Sequence, residues 1–184
     1  MNANPSPRSV AAPGTSHNVD AGELDKFATL AHQWWDPESP MFGALHKMNP
    51  LRLDWIDRQG GGLAGKRVVD VGCGDGGNLL EWMRLGFAGR HLTGLELLEA
   101  RARAARQRLP SDVRVIQGDA LAAPIEPASQ DVVHQAVVFS SLLDDGFQRQ
   151  LAERMWSWVR PSGAVLRSHS PLNDPPNPDG RRVP

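Results

Sequence analysis

The chain of 184 residues contains no tyrosine and a single cysteine, Cys73. One cysteine excludes a disulfide within the chain, and the missing tyrosine removes one of the side chains that commonly act as a base. No apolar run approaches the length of a membrane-spanning helix, and the N-terminal residues lack the apolar core of a signal peptide. These absences favour a cytoplasmic protein.

The sequence also lacks an excess of either charge, since 20 lysines and arginines stand against 21 aspartates and glutamates, for a net charge of −1. This balance does not suggest a general role in binding nucleic acid. The arginines cluster locally at Arg101, Arg103, Arg106 and Arg108. We expect this cluster to lie on the exposed face of a helix, and a patch that binds RNA is the minor alternative.

Three regions of the chain differ in composition. Residues 1–17 are rich in proline and small residues, which predicts a flexible leader. Residues 18–166 carry the patterns of one α/β domain, whose first part, 18–62, is predicted to be a helical cover. Residues 167–184 are rich in proline, which predicts an irregular tail rather than further strands.

The most informative segment, residues 70–76, reads Asp-Val-Gly-Cys-Gly-Asp-Gly and follows an apolar pair of valines. Glycines at 72, 74 and 76 suit a sharp turn with positive φ and let a ligand approach the backbone. The next residues carry the apolar stripe of a helix that ends at Gly86. A strand, a glycine-rich turn and a helix in this order predict the floor of a site for an adenosine cofactor.

Two classes of enzyme use such a floor. Dinucleotide enzymes place a pyrophosphate on the helix N-terminus and usually read G-x-G-x-x-G. Here Gly72, Gly74 and Gly76 are spaced G-x-G-x-G, and Asp70 precedes the first of them by two residues. This pattern resembles the first motif of the class I S-adenosylmethionine-dependent methyltransferases. The resemblance implies that S-adenosylmethionine is the cofactor and that Asp70 and the three glycines contact it. A nicotinamide-dependent oxidoreductase is the alternative that the spacing disfavours.

Later segments resemble the same family in order. Glu96 ends the second predicted strand, and the resemblance implies that its carboxylate accepts hydrogen bonds from both ribose hydroxyls. Asp119 and Ala120 follow the third strand, at the position that contacts adenine in the family. Residues 131–138 predict a fourth strand, and 160–166 resemble the turn and strand that come fifth. The expected fold is therefore a Rossmann-like three-layer α/β sandwich with a mostly parallel sheet.

The N-terminal region contains Asn18-Val-Asp20, Lys26-Phe27, Trp34-Trp35-Asp36, the segment 45–53 and Leu63-Ala-Gly65-Lys66. Over residues 18 to about 77, these segments resemble the quinone-biosynthesis O-methyltransferases, a family that acts on catechol-type rings. Two helices are predicted there, one through Trp34-Trp35 and one that begins at Asn49-Pro50 and ends near Arg58. They would cover the cofactor and exclude water. The resemblance assigns Arg52 to the cofactor, and its guanidinium suits the methionine carboxylate as a bidentate partner.

Two features depart from that group of enzymes. Residues 137–141, Val-Val-Phe-Ser-Ser, replace an acidic stretch that the group associates with a divalent metal, so we expect no metal site there. His46 and His134 are the remaining candidates for a proton acceptor, and a structural role is favoured for each. The chain also stops 18 residues after Leu166. We expect the terminal hairpin of strands 6 and 7 to be missing, with a homodimer as one way to cover strand 5.

The leading hypothesis is an S-adenosylmethionine-dependent methyltransferase that acts on a small molecule, most simply at an oxygen. A binding module that keeps the cofactor site but is impaired in catalysis is the alternative. The protein's main task would be to align the acceptor atom, the methyl carbon and the sulfur, a contribution worth roughly 7–11 kcal/mol in well-oriented systems.

Overall fold

The computed structural model describes residues 51, 53–59, 61–136, 138–139 and 144–168. The predicted leader, the first predicted helix with its two tryptophans, and the candidate residues His46 and Arg52 lie outside this part of the chain. So do residues 169–184, which include most of the predicted tail. The predictions for these segments stay predictions.

Helices and strands alternate along the described chain. Residues 53–59 are helical and form α1, in agreement with the second predicted helix. The elements that follow are β1 (Val68–Val71), α2 (Gly77–Arg84), β2 (Leu92–Glu96), α3 (Glu99–Arg108), β3 (Arg114–Gln117), β4 (Gln130–Ala136), α4 (Asp145–Trp158) and β5 (Val159–Ser168). Short 3₁₀ helices precede β2 and follow β3, at Gly89–His91 and Ala120–Ala122.

The five strands form one sheet in the order β3-β2-β1-β4-β5, and every neighbouring pair is parallel. Strand β1 is central, since Val71 is in register with Leu95 of β2 on one side and with Gln135 of β4 on the other. The chain therefore builds outward from β1 in one direction and then returns to extend the sheet in the other. Such a reversal opens a crevice at the carboxyl ends of the two central strands, where ligands bind in open α/β sheets.

Both faces of the sheet are covered by helices. Alternate residues of a strand point to opposite faces, so Val68 belongs to one apolar cluster and Val69 to the other. The first cluster is completed by Ile56 of α1, Leu79 and Trp82 of α2 and Ala105 of α3. The second cluster is completed by Leu151, Met155 and Trp158 of α4. These three layers confirm the predicted α/β sandwich.

The start of β5 differs from the prediction of a turn at residues 160–163. These residues lie within β5, where the register with β4 shifts, because Gln130 pairs with Val159 and Val132 pairs with Ala164. The extra residues therefore bulge opposite Asp131. A Cβ on Gly163 would lie 2.5 Å from the carbonyl oxygen of Asp131, so the bulge requires glycine at that point.

Within the described residues, β5 has a paired neighbour on one side only, which is β4. The predicted absence of a terminal hairpin concerns residues outside that range. Across the part of the chain that the structure describes, none of the helices combines the length and apolarity needed to cross a membrane.

Candidate functional site

The glycine-rich loop connects β1 to α2 at the crevice. Gly72, Gly74 and Gly76 have φ values of 73°, 58° and 86°, which confirms the predicted positive-φ turn. The amides of Gly72 and Cys73 both donate to the carbonyl oxygen of Leu95, at 2.8 and 2.9 Å. The loop is therefore fixed to the end of β2 by two backbone hydrogen bonds.

Each glycine of the loop touches a side chain from a different part of the chain. A Cβ on Gly72 would lie 2.5 Å from Cγ2 of Val138, and one on Gly76 would lie 2.7 Å from Cδ1 of Leu109. On Gly74 it would overlap Nη2 of Arg101. The sequence suggested that a side chain at these positions would occupy ligand space. In the structure it would first collide with the protein itself.

Asp70 lies beneath the loop, in a buried pair with a residue of β4. Its Oδ1 is 2.8 Å from Nδ1 of His134, and Asn78 of α2 donates to its Oδ2 at 3.3 Å. His134 is fully buried, and its ring packs against the Trp82 ring at 5.6 Å in an edge-to-face geometry. This burial supports the structural role that was favoured for His134.

Glu96 ends β2 beside the loop, as predicted. Its Oε2 accepts from the Gly74 amide and its Oε1 accepts from the Leu98 amide, both at 2.8 Å. Because a carboxylate oxygen has two lone pairs, each oxygen of Glu96 can accept one further hydrogen bond. The side chain is thus oriented by the backbone and retains the capacity to bind a diol.

The end of β3 lies next to Glu96. The amide of Gly118 donates to the Glu96 carbonyl oxygen at 2.9 Å. Asp119 follows, and its Oδ1 accepts from the Leu121 amide at 2.9 Å, which caps the 3₁₀ helix that begins at Ala120. The structure therefore brings the candidate residues of β1, β2 and β3 to one edge of the sheet.

Asp75, inside the loop, makes contacts that the sequence did not predict. Its Oδ1 lies 3.8 Å from Nη2 of Arg101, and its Oδ2 lies 3.3 Å from Nη1 of Arg108. Burial raises the pKa of Asp75 above its ordinary value, an effect that its own backbone amide, Arg101 and Arg108 oppose and that Glu96 reinforces. The loop thus contains a buried carboxylate between two guanidinium groups.

These contacts correct the prediction for the arginine cluster. Arg101 and Arg108 turn toward the loop, with side chains only 15% and 35% exposed. Arg103 is exposed and pairs with Glu99, as expected for a surface residue, and exposed Arg106 bonds the Val115 carbonyl. The spacing of 101 and 108, two turns apart on the face that includes Ala105, was the available sequence signal.

Cys73 lies within the loop and is buried. Burial raises the pKa of its thiol well above the usual value, and the nearby carboxylates of Asp70 and Glu96 raise it further, whereas Arg101 lowers it. A thiol of this kind is a poor nucleophile. Its Sγ packs against Gly94 of β2, where an added Cβ would lie 2.6 Å away.

The segment after β4 approaches the loop from the other side. Oε1 of Gln135 accepts from the Val138 amide at 3.0 Å, which holds Val138 over Gly72. Of residues 137–141, only Val138 and Phe139 are described. Over the described residues no group of three or more His, Cys, Asp and Glu side chains could hold a metal ion.

Comparison with known proteins agrees with this geometry. The profile of the methyltransferase domain family matches residues 68–163. The chain is 49% identical over 129 residues to the ubiquinone biosynthesis O-methyltransferase of Bordetella parapertussis, a match that covers 66% of this chain and 50% of the relative. It is 44% identical over 168 residues to the enzyme of that name from Cupriavidus pinatubonensis, covering 88% of this chain and 63% of the relative.

Solved structures share the fold. The PH0226 protein of Pyrococcus horikoshii superposes with a TM-score of 0.63 at 20% identity, covering 80% of this chain and 66% of that one. A putative S-adenosylmethionine-dependent methyltransferase of Methanococcus maripaludis superposes with a TM-score of 0.59 at 14% identity. The match covers 85% of this chain and 68% of that one. The chain spans about half the length of the Bordetella relative. The family profile matches the loop, strands β1 to β4 and the start of β5. The chain therefore belongs to the methyltransferase domain family, with the class I S-adenosylmethionine-dependent fold.

Proposed function

We propose that the chain is an S-adenosylmethionine-dependent methyltransferase that acts on an oxygen of a small molecule. The observation that supports this most is the Glu96 carboxylate, which is oriented by the Gly74 and Leu98 amides beside a positive-φ glycine loop. A carboxylate placed in this way suits the two hydroxyls of a ribose. The family membership supports the cofactor class.

In this proposal the cofactor lies along the carboxyl edge of the sheet. Gly72, Gly74 and Gly76 form the floor, and Glu96 binds the ribose. Asp119 and Ala120 contact the adenine, and Arg52, outside the described residues, binds the methionine carboxylate. The motif also assigns Asp70 to the cofactor, but His134 and Asn78 already bond its two oxygens, so we infer that it acts instead by joining β1 to β4 and to α2.

When bound, S-adenosylmethionine supplies an activated methyl group on a sulfonium whose thioether is a good leaving group. The protein's contribution is to orient the acceptor oxygen in line with that group and to exclude water. An acceptor hydroxyl must also lose its proton. His134 does not suit this task, since its ring is fully buried against Asp70 and Trp82.

The acceptor that we propose is a small phenol or catechol, in keeping with the names of the relatives. We place the protein in the cytoplasm, which agrees with its single, unpaired cysteine. A homodimer is part of the same proposal; it would cover the edge of β5 that has no paired neighbour within the described residues.

Titration calorimetry with S-adenosylhomocysteine tests the cofactor assignment. We expect binding by the wild-type chain and loss of most of it in Glu96→Gln, because the amide would present a donor to backbone N–H groups and to the ribose. Glu99→Gln is the matched control, since Glu99 is an exposed acid three residues further on. Absence of binding by the wild type would refute the proposal, as would stronger binding of NAD.

A panel of catechols with labelled S-adenosylmethionine then separates an enzyme from a binding module. Methyl transfer to any member of the panel identifies an enzyme. Binding of S-adenosylhomocysteine without transfer to any acceptor identifies the catalytically impaired module instead.

A further inference from the structure

Arg101 lies on α3, the helix that follows β2, and its side chain is mostly buried. Its guanidinium lies against Gly74, so closely that any Cβ on that glycine would overlap it. Its Nη2 is 3.8 Å from the Asp75 carboxylate, and the side chain is 15% exposed. The positive charge is therefore held inside the loop region, beside Gly74, whose amide donates to the Glu96 carboxylate.

The charged cluster of Asp75, Arg101 and Arg108 does not have the features expected of a group that stabilises the fold. Because burial dominates, the raised pKa of Asp75 means that its charged form is less favourable in the folded chain than in water. Among the described residues, one oxygen of this buried carboxylate, Oδ1, has no hydrogen-bond partner, and its contact with Arg101 is the longer one of 3.8 Å. A charged group held at a cost to the folded state beside a ligand site is typical of functional residues.

The contacts of Gly74 indicate what this arrangement does. The Gly74 amide donates to Oε2 of Glu96, while the Arg101 guanidinium covers the α-carbon of the same residue. Gly74 is thus enclosed between the carboxylate on one side and the guanidinium on the other. The backbone of a glycine is free to move unless its neighbours restrain it. Arg101 and Asp75 together supply that restraint.

We propose that Arg101 is a positioning residue for the cofactor, which fixes Gly74 and through it the Glu96 carboxylate in the geometry that binds the ribose. The inference rests on the proposed function. Arg101 acts through Gly74, and Asp75 anchors its guanidinium. Replacement of Arg101 should therefore weaken cofactor binding more than it lowers the free energy of unfolding.

The test compares Arg101→Gln with Arg103→Gln, a control on the same helix whose side chain is 65% exposed and pairs with Glu99. Calorimetry with S-adenosylhomocysteine gives the Kd, and urea unfolding gives the stability. We expect Arg101→Gln to raise the Kd at least about fivefold, in the range of a lost charge-assisted contact. Arg101→Lys, which keeps the charge without the planar fork, should recover part of the affinity. Arg103→Gln should bind as the wild type does.

Cys73, the single cysteine of the chain and the residue before Gly74, provides a second readout. Its alkylation rate in the native state reports how often the loop opens, and S-adenosylhomocysteine should slow it. Arg101→Gln should raise the rate and weaken this protection, whereas Arg103→Gln should change neither.

The outcomes separate the inference from the function on which it rests. If the wild type fails to bind S-adenosylhomocysteine, the proposed function fails and this inference fails with it. If the wild type binds and Arg101→Gln binds equally well, only the role of Arg101 is overturned. Should Arg101→Gln not fold, Arg101→Lys and Asp75→Asn give the same comparison. Unchanged Kd values in both would refute the inference.

Discussion

The carboxylate of Asp70 and the imidazole of His134 form a buried pair 2.8 Å apart, although 64 residues separate them along the chain. The pair joins the central strands β1 and β4 directly beneath the glycine-rich loop, at residues that are in register. The acid that opens the loop motif therefore has a partner within the protein. Among the described residues, its carboxylate connects β1 to His134 of β4 and to Asn78 of α2.

Loss of this partner should be costly. In His134→Ala the Asp70 carboxylate would remain buried with Asn78 as its described side-chain partner, and we expect the free energy of unfolding to fall by about 3–5 kcal/mol. Urea unfolding measures the change. His91→Ala, in a partly exposed 3₁₀ helix, is the control and should cost far less. Equal losses for the two variants would show that the pair with Asp70 contributes nothing particular.

Gly72→Ala should destabilise the chain for two separable reasons. The residue has a φ of 73°, and the added Cβ would lie 2.5 Å from Val138, so a loss of about 2–4 kcal/mol is expected from strain and overlap together. Gly86→Ala, with a φ of 94° and open space around it, should show the strain alone.

The overlap can be isolated in a double-mutant cycle. The combination of Gly72→Ala with Val138→Ala should be more stable than the sum of the single effects predicts, because the smaller side chain makes room for the new methyl group. Simple additivity would mean that the Val138 contact does not limit residue 72.

The thiol of Cys73 should react slowly in the folded chain. Its raised pKa leaves little thiolate at neutral pH, and its burial blocks access. Alkylation by iodoacetamide near pH 8 should therefore be at least about tenfold slower than in urea. As the pH is raised, the alkylation rate of the unfolded chain should level off once its thiol is fully ionised. The alkylation rate of the folded chain should continue to rise at higher pH. Equal rates in the folded and unfolded chains would contradict this.

Asp75 should make stability depend on pH with a defined sign. Its pKa in the folded chain is above the ordinary value of 3.8, so between these values the folded state binds more protons than the unfolded state. The contribution of Asp75 to stability therefore falls as the pH rises through that window. Asp75→Asn removes this dependence and should gain stability relative to the wild type as the pH rises above 3.8.

Urea unfolding at several pH values measures that difference. Asp54→Asn is the control, since Asp54 is 54% exposed and pairs with Arg58. The assignment would be contradicted if the difference in free energy of unfolding between Asp75→Asn and the wild type stayed constant across these pH values. It would also be contradicted if the variant lost stability relative to the wild type as the pH rose.

Local patterns in the sequence predicted much of the backbone geometry at the candidate site. Alternating glycines after an apolar pair predicted the positive-φ turn, and Gly86 predicted the end of α2, where the structure gives it a φ of 94°. Glu96 was predicted at the end of β2 because the apolar run stops there. These features depend on a few neighbouring residues, so the pattern contains the information.

Contacts between distant segments were harder to predict. Nothing in the local pattern pairs Asp70 with His134 or turns Arg101 toward Asp75, since each pair is made by two elements that meet only in the folded chain. The bulge at residues 160–163 depends in the same way on how β5 lies beside β4. Helical periodicity identifies a face but not the groups packed against it.

The contacts of the three loop glycines affect how such motifs evolve. Each has a positive φ and lies against a side chain, from Val138, Arg101 or Leu109, so a substitution there strains the backbone whether or not a ligand is ever bound. A descendant that lost its cofactor would therefore still be under selection to keep all three glycines. In this chain, an intact G-x-G-x-G sequence therefore reports a backbone geometry and is not by itself a sign of surviving activity.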